Sequence, residues 1–313
     1  MLKVNAYGKR DIRFELYCAP GVSAESADRR IHGCDTRLAR QDGDYGSWGA
    51  RGVEVQDDRY TDHGVFIELE RYAAFYESLS FSTLFLCSAG ATIPNFDSYF
   101  YSSVQGTTES IHDVLKNGRI NDAYALLRKY HDSVIINVYS DLYLQDHLGD
   151  EALVVAAIDN WLKGTGQLPR FHSMLEYIYC SDKVAAITGL LRSDNRYKDI
   201  RDRCNSHVHY NLFANALLND SNLVLDTRLE VLDAFLSDLA DLFIFHFAYM
   251  FLLNGHYMAS SDYMGSLECG IEPEADSQHW VAPFVQETFD GIVAVRRPDV
   301  AEAIRQRTCM RLE

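Results

Sequence analysis

From residue 66 onward, apolar side chains recur at spacings of three and four, the period of one helix face. The clearest stripe is Ile120, Ala123, Tyr124, Leu127, Tyr130, Val134, Val138 and Leu142, which predicts one long helix. Upstream, Glu68–Cys87 is heavily apolar and aromatic and is broken by SAGATIP. A loop carrying Asn95, Asp97 and several tyrosines is expected next, then a short helix over Thr107–Lys116 closed by Asn117–Gly118. Residues 151–163 predict a helix stopped by Gly164-Thr165-Gly166 and Pro169. Phe171–Arg192 reads as one or two helices, Tyr197 to about Leu218 as the next, and Arg228 to about Tyr257 as the longest. Pro298 introduces a final helix, Asp299–Arg307. The most apolar run, Leu242–Leu253, holds only twelve residues, whereas a membrane span needs about 20. It predicts a buried core helix.

Residues 1–65 break this pattern. PGVSAES, DGDYGSWG and QDDRYTDHG read as turns and loops, and Asp11–Tyr17 and Gly52–Val55 as short strands. The expected organisation is an irregular N-terminal region or docking arm over 1–65, a helical body over 66–260, and loops with short helices over 261–313 packed on that body. The fold class is mainly α, an antiparallel helical bundle with an irregular, partly β N-terminal region.

Charge narrows the function classes. The chain has 313 residues and a net charge of −16, and a protein that coats nucleic acid with its whole surface would be basic. RNA at a local basic site, or a protein partner, stays open. The seven cysteines are scattered with no C-x-x-C pair, so zinc ribbons and thioredoxin-type motifs have no support. No phosphate-cradling glycine loop, nucleophile elbow or H-E-x-x-H pattern occurs, and neither a cofactor nor a metal is expected. The charged N-terminus does not read as a secretory signal, and no membrane segment is expected. The expected location is the cytoplasm.

Candidate chemistry concentrates in Ile200–Asn211, IRDRCNSHVHYN. On a helix, Arg203 and His207 share a face, as do Asn205 and His209, each pair being four apart. Metal-free RNA cleavage needs such groups: an imidazole to move the proton of the ribose 2′-hydroxyl or leaving oxygen, an arginine to hold the phosphate, and an amide to orient them. The ordinary alternative is that these are surface residues or interhelical partners. His246 lies between Phe245 and Phe247 and reads as a core histidine bonded to a neighbouring helix. His112, His131 and His147 read as members of a solvated face, and His256/Tyr257 as within reach of the 201–209 cluster.

The cluster resembles the signature of HEPN domains, an Arg followed after four to six residues by a His. Two registers match, Arg201-Asp202-x4-His207 and Arg203-Cys204-Asn205-x3-His209. Val208-His209-Tyr210-Asn211 is also similar to a stretch of uncharacterised bacterial abortive-infection-like proteins. The resemblance implies a helical, usually dimeric domain over about residues 110–260, acting as a metal-independent endoribonuclease in defence or toxin–antitoxin systems. It implies His209 (or His207) as general acid/base, Arg203 and Arg201 on the phosphate, and Asn205 as the orienting group, with a homodimer completing the site. A degenerate domain keeping the fold, a non-catalytic interaction protein (antitoxin, immunity factor or complex subunit), and a small-molecule enzyme with an aromatic pocket are the alternatives.

Overall fold

The computed structural model describes residues 52–84, 95–148 and 155–313, together with a small antiparallel pair near the N-terminus. The chain divides into two units, Met1–Gly52 and Val53–Glu313. In the first, β1 (Lys3–Val4) pairs with β2 (Arg10–Asp11), Lys3 opposite Asp11 and Val4 opposite Arg10. The expected strand Asp11–Tyr17 otherwise falls outside the described residues, as do PGVSAES and DGDYGSWG.

The second unit is mainly α. A one-turn helix α1 (Asp58–Thr61) stands where turns were expected, because the Asp57 carboxylate caps it by accepting from the Arg59 amide at 2.9 Å. Val53 forms only an isolated antiparallel bridge with Leu225 rather than a strand. Helix α2 (Gly64–Ser82) buries Val65, Leu69, Tyr72, Tyr76 and Leu79. Helix α3 (Phe96–Lys116) runs through the segment expected as a tyrosine-rich loop. Its polar first half misleads the pattern: Phe96, Tyr101 and Val104 face the core, while Thr107 and Thr108 return their hydroxyls to the Ser103 and Val104 carbonyls. Asn117 and Gly118 close it as expected, Gly118 at φ 74.

Helix α4 (Ile120–His147) buries the whole predicted stripe and forms the axis of the body. It packs against α3, α6 (Phe171–Cys180), α8 (Arg196–Val208) and α10 (Arg228–Leu253). Helices α5 (Ala156–Leu162), α7 (Ala185–Leu191) and α9 (Phe213–Leu217) fill the intervals. Helix α10 as a whole is long and apolar enough to cross a membrane, yet Leu242–Phe251 is buried within the bundle, as expected of a core helix. Tyr72 stacks on Phe243 at 4.2 Å, and Phe75, Phe247, Phe251 and Phe284 extend that aromatic seam.

The C-terminal segment holds α11 (Asp262–Glu268), α12 (Pro283–Thr288), a π-turn over Phe289–Val293, α13 (Ala294–Arg296) and α14 (Pro298–Arg307). Helix α14 lies against α7 and α10, and α12 against α2.

Arg228, the first residue of α10, is fully buried. Its guanidinium donates to the Val53, Asp220 and Leu223 carbonyls at 3.0–3.2 Å. With the Val53–Leu225 bridge this ties the beginning of the helical body to the beginning of α10.

Candidate functional site

The Arg/Asn/His cluster lies on α8, which docks through Tyr197, Ile200, Cys204 and His207. The helix ends sooner than its apolar pattern suggests, at Val208, and His209 is its C-cap. No glycine or proline marks the stop. Tyr210 instead takes the left-handed conformation at φ 48, and the Tyr210 and Asn211 amides close the end on the His207 and Ser206 carbonyls. Glycine normally occupies that position, because a side chain there is strained.

The helix sends Arg201 and Arg203 to opposite flanks. Arg203 makes a bidentate pair with Asp238 of α10, Nε and Nη2 each at 2.7 Å; Asp238 is 5% exposed and the Arg203 side chain 42%. Arg201 donates to Asp132 of α4 at 2.6 Å and lies over the Phe171 ring of α6 at 3.4 Å. Asn205 accepts from Arg128 of α4, which also meets Asp132 at 3.4 Å. The register Arg203/Asn205/His209 is therefore divided between α10 and α4.

His207 is buried and stacks on Tyr124 at 3.9 Å, nearly parallel. The Asn121 amide donates to its Nδ1 at 3.0 Å, which puts the imidazole proton on Nε2. Burial, reinforced by the Arg203 charge, lowers its pKa to about 4. At neutral pH His207 is thus an uncharged ring. His209 is exposed at the helix end. Around it Val208, Tyr210, Leu212 and Phe213 present their side chains to solvent.

The other histidines resolve differently from one another. His131, expected on a solvated face, is buried beside Phe171 and its pKa falls to about 3. The helix turns it inward next to Ile135 and Val134. His147 stays outside, whereas His112 is half-buried against Phe66 and faces Glu70 at 3.6 Å. His246 is a core histidine, bonded to Tyr76 of α2 and Asn137 of α4 at 2.8 Å each. Tyr257 does not turn toward α8; its hydroxyl donates to Asp97 at 2.7 Å.

That last bond belongs to a polar chain through the core that sequence reading missed. Tyr130 meets Tyr76 at 2.6 Å, Tyr76 meets His246, His246 meets Asn137, and Asn137 donates to Asp97 at 2.7 Å. Asp97 also stands within hydrogen-bond reach of Asp141, whose carboxylate accepts from Asn254 at 3.0 Å. The buried acids lay in a presumed loop and within an apolar stripe, so only His246 signalled the chain.

Among the described residues, no group of three or more His, Cys, Asp or Glu side chains is arranged to hold a metal ion. Comparison with known protein families, with curated proteins and with solved structures returned no match.

Proposed function

We propose that the chain is a cytoplasmic, non-catalytic helical interaction protein, of the antitoxin, immunity-factor or complex-subunit kind, in a bacterial defence system. The observation that carries this reading is that Arg201, Arg203 and Arg128 are already matched by Asp132, Asp238 and Asn205. Together with the neutral, stacked His207 they fasten α8 to its neighbours. A scissile phosphate would have to displace those partners. The binding corner in this reading is Val208–Phe213, where the chain keeps an exposed tyrosine in a backbone conformation that favours glycine.

A second reading follows the HEPN resemblance: a metal-independent endoribonuclease whose site is completed by a second copy of the chain. It is favoured by the half-exposed Arg203 beside His207 and by the exposed His209. The deciding experiment is incubation of the purified chain with total RNA and tRNA in EDTA, comparing wild type, His209→Ala and His207→Ala. The interaction reading expects intact RNA in every case. Cleavage that survives EDTA and vanishes with His209→Ala or His207→Ala would replace it with the nuclease.

A further inference from the structure

Three helices and the turn after α10 meet around the carboxyl groups of Asp97 and Asp141, Asp141 buried and Asp97 half-buried. Two ionised carboxylates in contact within a core cannot both persist without a cation, because each loses its hydration and repels the other. Among the described residues, no Lys or Arg is bonded to either. The titratable groups that face the pair are Tyr101 on α3, Tyr257 and His256 on the Gly255–Met258 turn, and, through Asn137, His246 on α10 and Tyr76 on α2.

The hydrogen bonds around the pair identify the compensating species. Asp97 accepts from the Asn137 amide on one oxygen and from the Tyr257 hydroxyl on the other, both at 2.7 Å. Asp141 accepts from the Asn254 amide. Three donors aimed at the carboxylates are the arrangement for a retained negative charge, not for a metal ion, which needs the same lone pairs. The Tyr101 hydroxyl, fully buried beside both acids, has no hydrogen-bond partner.

We propose that Asp141 holds a proton and donates it to the Asp97 carboxylate, and that this proton-sharing pair is the latch seating the Gly255–Met258 turn on α3 and α4. Asp97 then accepts three hydrogen bonds, from Asp141, Tyr257 and Asn137, and Asp141 is left with one acceptor oxygen facing Asn254. Burial raises both acids above the ordinary carboxyl range, Asp141 the more strongly through its contact with Asp97. The folded state therefore binds one proton more than the unfolded chain once the pH exceeds the ordinary carboxyl value. The latch weakens as pH rises, until the folded pair itself lets the proton go.

The assignment makes the two acids unequal. Asp141→Asn replaces a donating O–H with a donating N–H and preserves the geometry. Asp97→Asn cannot, because one of its two side-chain atoms becomes a donor facing the donors of Tyr257 or Asn137. The experiment is denaturant unfolding of the full chain from about pH 5 to pH 8 for wild type, Asp141→Asn and Asp97→Asn, with metal analysis of each. Relative to Asp141→Asn, the wild type should lose about tenfold in its folded-to-unfolded ratio per pH unit, one proton's worth. Asp97→Asn should be much less stable than Asp141→Asn. Parallel wild-type and Asp141→Asn profiles, equal damage from both substitutions, or a stoichiometric cation in the wild type would overturn the proposal. If neither variant folds, the infrared spectrum of the wild type decides. A protonated-carboxyl stretch at neutral pH that bleaches on alkalinisation supports the latch, and its absence refutes it.

Discussion

His207 shows how a residue type that suggests chemistry can be turned to packing. Its ring buries against Tyr124 and takes its only acceptor bond from Asn121. His131 and His246 are likewise neutral inside the body, each with a pKa near 3. An unfolded histidine titrates near pH 6.5. Between there and about pH 4, the unfolded chain takes up protons that these folded histidines refuse, so stability is lost as the pH falls. Each histidine contributes at most about 1.4 kcal/mol per pH unit to that loss. His207→Phe keeps the stack and removes one titrating group. Its urea midpoint should fall less steeply than that of the wild type between about pH 6.5 and pH 4, and an unchanged slope would show that His207 is solvated. The sequence exposed the presence of Arg201, Arg203, Asn205, His207 and His209, but not their partners. Asp132 and Asp238 stand on helices far away in the chain, and nothing local announces which acid meets which arginine.

Among the elements, legibility followed the source of the helix. Helix α4 was read correctly because its stripe is apolar throughout, and Asn117–Gly118 because glycine supplies the left-handed residue directly. Helix α3 was half missed. Its first turns are polar on paper, and Asp97 meets Asn137 and Tyr257 only after the bundle forms. The end of α8 was missed for the opposite reason: Tyr210 does what a glycine would ordinarily do. Tyr210→Gly should raise stability by about 1 kcal/mol in urea unfolding, the usual cost of a side chain in that conformation. If Val208–Phe213 is the binding corner, the same change weakens partner association while the isolated chain grows more stable. A stability loss instead would mean that the Tyr210 ring contributes to the fold.

At the scale of the molecule, two opposing proton ledgers act on one core. Buried neutral histidines penalise acid, and the proposed Asp97–Asp141 latch penalises alkali. The wild-type stability profile should therefore rise and then fall across the range between them, with Asp141→Asn removing only the descending side. The mainly α architecture was visible in the three-to-four spacing of apolar positions. The polar chain from Tyr130 to Asp141 was not, because α4 supplies only Tyr130, Asn137 and Asp141 beside its apolar stripe, and α2, α3 and α10 supply a single residue each.

The Arg228 strap also has a kinetic meaning. It joins Val53 to the start of α10 across 175 positions of the chain, and a contact that closes so long a loop pays its entropy before returning any binding. The helices of the body can assemble without it. Val53 should thus gain amide-exchange protection after α4 and α10 during refolding, and lose it first under mild denaturant. The seam where the helical body begins is then the place from which the molecule comes apart.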